Sequence, residues 1–202
     1  MARNIIDFNE EGQTPLDDIS GLFVKVETRQ ELNDLEFRNN NKAYKKYFLR
    51  KVSKKSAPFN YEWLRQVHKD MFGEVWQWAG NPRDVDLNLG VPKEKIGAEI
   101  HKLLYELNQW ESRSMSPLEI AVRIHHRLAL IHPFNNGNGR WARMVANLYL
   151  HQKGWRTVQW PNDPVFIKNT FRPRYLEALK NADDSDYRQL LKLHEEFWKT
   201  GS

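Results

Sequence analysis

The segment His132-Pro133-Phe134-Asn135-Asn136-Gly137-Asn138-Gly139-Arg140-Trp141-Ala142-Arg143 gathers the residue types in this chain most able to do chemistry. Gly137 and Gly139 let main-chain N–H groups converge with no Cβ in the way. They precede an apolar-periodic run, which places them at a helix N terminus, where unpaired donors and the helix dipole favour an anion. Arg140 and Arg143, with Asn147, share a stripe outside the apolar face of Trp141, Met144 and Leu148. Cations in a first helical turn oppose the dipole by about 0.3–1 kcal/mol each. Two guanidinium forks there suit a phosphate better than they suit the helix. His132 closes the preceding helix and faces the same loop. Nearby cations and the helix N terminus favour its neutral imidazole, which can accept a proton. Phe134 reads as a core anchor for the loop. A His in a helix-ending turn is more often a cap or a core residue, and Gly-x-Gly alone is commonly only a turn. The combination carries the specificity.

Helices must hold this loop. Thr28 with Glu31 has the spacing of a capping box, followed by Leu32, Leu35, Phe37, Ala43, Tyr44, Tyr47 and Phe48 at mostly helical intervals. Asn60 caps a second helix through Trp63, Leu64, Val67, Met71 and Phe72. A third follows Pro92, with Ile96, Ile100, Leu103, Leu104 and Leu107. Ser116-Pro117-Leu118-Glu119 opens the helix that runs to Ile131. The next spans Arg140 to about Gln152, with Gly154 placed as a C-terminal cap. Further helices are predicted over Asp163–Thr170, Pro173–Asn181 and Asp186–Lys199. Only Arg83–Val91 alternates with a period of two, which predicts a short hairpin or flap. Residues 1–25 read as an N-terminal arm with a turn at Gly12-Gln13-Thr14-Pro15. Residues 26–202 read as one helical domain with 83–91 as its flap, so the expected class is an all-α bundle with a short β-hairpin.

Composition removes other classes. The chain has 202 residues and no cysteine, which excludes disulfides and cysteine-ligated zinc or iron–sulfur centres. No apolar run approaches the length of a membrane span, and the N terminus lacks the apolar core of a signal peptide; a cytoplasmic protein is the expectation. Aromatics at 12%, including 8 Trp, argue against disorder. The net charge of +5 reads mostly as solvated surface. Its densest cluster, Lys42–Lys55, could be a nucleic-acid arm or merely a basic helix face, and nucleic acid is not the expected partner.

The segment from His132 to Arg143 closely resembles the Fic family motif HxFx(D/E)GNGRxxR, departing only at Asn136. The resemblance runs from about Glu36 to Leu190. The opening residues, with Gly12-Gln13-Thr14-Pro15-Leu16, Gly21-Leu22 and Glu31-Leu32-Asn33, resemble the mobile mystery protein B subgroup. That resemblance implies transfer of AMP from ATP to a Ser, Thr or Tyr hydroxyl of a target protein, or of the protein itself. His132 would then be the general base and Phe134 the anchor. Gly137, Asn138 and Gly139 would form the anion hole, Arg140 would bind the β-phosphate and Arg143 the γ-phosphate. It also implies a helix-turn-helix partner. Doc-type kinases carry Lys where this chain has Gly139, which lowers a phosphotransferase reading.

Asn136 stands where the family's Asp or Glu holds Mg²⁺, and an amide is the poorer ligand. Mg²⁺ or Mn²⁺ is therefore expected with the ATP, weakly held by protein. The alternative is a nucleotide-binding pseudoenzyme or regulatory partner silenced by Asn136. Many relatives are restrained by a helix whose Glu pairs with the second motif arginine. Glu36 in the predicted 27–50 helix is the candidate here, although Leu32 and Phe37 depart from that pattern. Otherwise Glu36 is a solvated helix carboxylate in an exposed pair worth well under about 1 kcal/mol.

Overall fold

Thr28 starts the first helix, α1 (Arg29–Phe48), by the reciprocal cap its sequence predicts: its Oγ1 accepts from Glu31 N at 3.2 Å, while Glu31 Oε2 accepts from Thr28 N at 3.3 Å. Asn60 Oδ1 likewise takes the Trp63 N–H at 2.8 Å and opens α2 (Tyr61–Phe72). This computed structural model describes residues 21–49, 52–161 and 167–199. Residues 1–20 of the arm expected over 1–25, its Gly12–Pro15 turn and residues 163–166 of the expected Asp163–Thr170 helix lie outside the described residues.

A 3₁₀ turn at Lys93–Lys95 leads into α3 (Ile96–Ser112). In α4 (Pro117–Ile131) Pro117 occupies the first turn as expected, but Ser116 makes no side-chain cap. Then come α5 (Asn138–Gln152), a π-helical turn at Ile167–Phe171, α6 (Arg172–Asp183) and α7 (Arg188–Lys199). Gly154 follows α5 with φ +74°, and Trp155 N returns to Leu150 O at 2.9 Å. That left-handed turn is the glycine stop predicted from sequence.

Helices α4 and α5 pack against each other at the centre, with α3 and α7 against α4, and α1 against α2. Their shared core includes Ile100, Ile124, Leu128, Trp141, Val145 and Leu148, all buried. The apolar stripe read from α5 is therefore what fixes the direction in which its N terminus points.

No hairpin forms at residues 83–91. Among the described residues the strand-type pairing is one antiparallel bridge, Leu22 with Trp76, flanked by Phe23 N to Val75 O at 2.9 Å and Gln77 N to Gly21 O at 2.8 Å. Two of the alternating side chains find no wall to pack on: Val85 is 50% and Leu89 60% exposed. The segment curls instead around the buried guanidinium of Arg83. That fork donates to His132 O and Val85 O, each at 2.8 Å, and to Val91 O. A side chain satisfies the carbonyls that a partner strand would have used. The Lys42–Lys55 cluster is also partly spent within the fold, through Lys42 with Glu74 and Lys46 with Asp70, both at 2.5 Å.

Candidate active site

His132 ends α4 in the left-handed conformation, φ 52° and ψ 59°. The break takes the chain out of the helix and into the loop that leads to α5. Burial is the chief cause holding its pKa below the ordinary histidine value, and Arg83 adds to it. A hydrogen bond to the Ala129 carbonyl acts in the opposite direction. The neutral form expected from sequence is thus favoured, but mainly by desolvation, and the cation concerned is Arg83 rather than the loop arginines. With one ring nitrogen donating to a carbonyl, the other carries the lone pair and can take a proton. Gly90 crosses directly over this residue: a Cβ there would lie 2.6 Å from His132 Cβ.

Phe134 is fully buried, stacked 3.6 Å from the His68 ring and edge-on to Trp141 at 4.9 Å. Asn138 closes the loop on itself, its Oδ1 accepting from Phe134 N at 2.9 Å and its Nδ2 donating to Phe134 O at 2.7 Å. Its side chain is therefore committed to shape, and its main-chain N–H is the group left to meet an anion. Asn136 Oδ1 takes the Gly137 N–H at 2.6 Å. Gly137 has φ +78°, and a Cβ there would meet the Phe72 ring at 2.5 Å, so glycine is required by both strain and space.

Gly137 heads α5 without any side-chain cap. The first-turn N–H groups of Asn138, Gly139 and Arg140 thus lack an intrahelical acceptor. A Cβ on Gly139 would meet only Tyr175 Oη at 3.9 Å. Space is open above that amide, and an anion can fill it.

The two arginines differ. Arg140 Nη1 lies 2.5 Å from Glu36 Oε2. Glu36 itself is only 2% exposed and also accepts from Trp76 Nε1 at 2.8 Å. The solvated reading of Glu36 is wrong; it is a buried carboxylate set across the site. It meets the first motif arginine, not the second. Arg143 Nε donates to Gly139 O at 3.3 Å, and no carboxylate among the described residues pairs with it. Burial lowers its pKa; Tyr175 opposes this, while Arg140 and Arg172 add to it. A desolvated guanidinium beside two other cations is an electrostatic deficit that an anion relieves.

Sequence reasoning missed His68, Arg83 and Tyr175. His68 sits on the buried stripe of α2, where its spacing from Leu64 marks a core position but no role. Its Nδ1 accepts the Gly80 N–H at 3.0 Å, so Nε2 carries the hydrogen and donates to Asn136 O at 3.1 Å. Burial, the largest cause, pushes its pKa down to about 3; the Asn136 bond opposes this and Arg140 adds to it. A neutral imidazole thus pins the loop from behind. Among the described residues no group of three or more His, Asp or Glu could hold a metal ion.

Residues 58–150 match the Fic/DOC family. Protein adenylyltransferase Fic from Nematostella vectensis is 26% identical over 152 residues, 73% of this chain and 34% of that protein. The chain thus spans about a third of that relative's length. Among solved structures, a fragment of Fic-1 from Caenorhabditis elegans superposes with a TM-score of 0.69 at 24% identity, covering 90% of this chain and 52% of that one. The BepC effector of Bartonella tribocorum, solved with bound AMPPNP, gives 0.65 at 21% identity over 94% and 95% of the two chains. At these identities the structural likeness is one of fold.

Proposed function

With a Fic/DOC family domain over residues 58–150, we propose that this chain transfers AMP from ATP to a hydroxyl on a protein. The observation that carries this reading is one turn: His132, whose pKa burial lowers, ends α4 at the loop that leads to the uncapped N terminus of α5, which carries Arg140 and Arg143. The target hydroxyl oxygen attacks the α-phosphorus and its proton passes to His132. The bond to the β-phosphate oxygen breaks, giving an adenylylated protein and pyrophosphate. The N–H groups at the head of α5 and the arginines stabilise charge on the phosphate oxygens, where fixed donors act most strongly. Asn136 and its neighbours form no cation cage, so Mg²⁺ or Mn²⁺ enters as part of the nucleotide substrate.

Glu36 supports a restrained resting state, since it occupies Arg140 with a charge that a phosphate would replace. The segment 83–91, anchored by Arg83 and presenting Val85 and Leu89, is the face offered to the target beside His132. We read residues 26–202 as the catalytic unit, cytoplasmic, of the mobile mystery protein B type, with a helix-turn-helix protein as partner. Incubation with ATP and Mg²⁺ or Mn²⁺, followed by intact-mass measurement and labelling of lysate proteins, tests transfer directly. His132→Ala is expected to lower labelling about 10²- to 10⁴-fold. Labelling unchanged in that variant removes His132 as the base.

A second reading rests on Asn136, whose oxygen is turned onto Gly137 N. As a silenced nucleotide-binding partner, the chain would bind ATP without labelling, and Asn136→Asp would restore transfer.

A further inference from the structure

We propose that Tyr175 determines specificity at the nucleotide site, its oxygen accepting a hydrogen from the nucleoside part of the ligand. This rests on the nucleotide reading above. The argument starts at the far end of a buried chain of side chains. His194 Nδ1 lies 2.8 Å from Leu190 O. A carbonyl has no hydrogen to give, so His194 Nδ1 carries one. Burial pushes the pKa of His194 down to about 4, opposed by that same bond and reinforced by Arg143, so the ring is neutral and Nε2 holds a lone pair. His125 Nδ1, 3.1 Å from His194 Nε2, must therefore be the donor. His125 is also held neutral, chiefly by burial and then by His194, Arg143 and His126, which leaves its Nε2 as an acceptor. Tyr175 Oη is 2.8 Å from that nitrogen and must donate to it.

The only hydrogen of the tyrosine hydroxyl is thus spent inward. The oxygen lies 3.9 Å from where a Cβ of Gly139 would be, and the Arg143 guanidinium sits 5.8 Å from the centroid of the tyrosine ring. Neither Arg143 nor Arg172 donates to this oxygen, and Arg172 Nε is itself buried without a partner. Other acceptors at the site are already engaged: the Glu36 oxygens by Arg140 and Trp76, and the Asn136 oxygen by Gly137 N. The Tyr175 oxygen, its hydrogen spent on His125, is an acceptor beside the first-turn amides that repels phosphate oxygen and matches a ligand that brings a hydrogen of its own. A bare polyphosphate has none to bring. A nucleoside triphosphate has sugar hydroxyls and, in adenine, an exocyclic amine.

The test uses the full chain and four ligands: ATP, 2′,3′-dideoxy-ATP, purine riboside triphosphate and tripolyphosphate, with affinities from calorimetry. Tyr175→Phe removes one oxygen and keeps the ring, and is expected to weaken ATP about tenfold, the effect of one lost hydrogen bond. Tripolyphosphate affinity should not move. On the unaltered chain, one of the two analogues should bind about tenfold more weakly than ATP, and which one tells whether sugar hydroxyl or base amine is read. Equal weakening of ATP and tripolyphosphate would make Tyr175 a merely structural residue, and both analogues matching ATP would overturn the inference without any variant. ATP that binds but ignores Tyr175→Phe overturns this inference alone. ATP that binds neither the unaltered chain nor Glu36→Gln overturns the nucleotide reading with it.

Discussion

Arg140 and Arg143 stand one helical turn apart on α5, yet their surroundings are opposites. Arg140, 38% exposed at its side chain, already holds an anion, the buried carboxylate of Glu36. Arg143 is backed by Tyr175 and the neutral His125–His194 pair and meets no carboxylate among the described residues. One side of the site is closed by charge from within the chain and the other is left in electrostatic debt to a ligand. A site with both arginines neutralised would not attract a triphosphate, and one with neither would carry repelling cations near a helix N terminus with nothing to offset them.

Removing each arginine should break the comparison most sharply. Arg143→Ala is expected to cut labelling about 10²- to 10³-fold, the range for one lost donor to developing charge, with little change in thermal stability. Arg140→Ala should behave the other way. It leaves Glu36 buried with only the Trp76 N–H and costs about 1–3 kcal/mol of stability, seen as a lowered unfolding midpoint. If the two variants lose stability equally, the asymmetry between them is not real. A smaller effect is expected at Glu36. Glu36→Gln keeps an acceptor for Trp76 but discharges the pair, and should raise ATP labelling about tenfold, equivalent to about 1.4 kcal/mol. Unchanged labelling would leave Glu36 as a structural carboxylate.

Acid sharpens the comparison least, because it acts behind both arginines. His68 supports the loop near Arg140, and His125 with His194 lies behind Arg143. Folding lowers each of these pKa values, to about 3 for His68 and about 4 for His194. The unfolded chain then binds more protons below its own histidine pKa of about 6.5, so stability is full above that pH and falls below it. The loss approaches about 1.4 kcal/mol per pH unit for each such histidine. Unfolding midpoints should match at pH 7 and 8 and drop between pH 6.5 and 5; a flat profile over that window would mean the rings are not held neutral.

Where the geometry is local, it was legible. His132, Gly137, Gly139, Arg140 and Arg143 fall within one helix–turn–helix stretch, so helical period and glycine placement alone orient them. The caps at Thr28 and Asn60 were legible for the same reason, since each bond spans three residues. The hairpin failed because alternation records only that side chains point to opposite sides. It says nothing about whether a partner strand exists, and here a guanidinium took that place.

What the sequence determined by itself is therefore the order of helices and the contents of the loop, both set by contacts a few residues apart. Only tertiary structure brought Glu36 to Arg140 across 104 positions, His68 to Asn136 across 68, and Tyr175 to His125 across 50. Those contacts depend on how α1, α2 and α6 pack around the central α4–α5 pair. Packing is governed by the fit of whole faces, which no local spacing encodes. The same packing decided that one arginine is answered within the chain and the other is not.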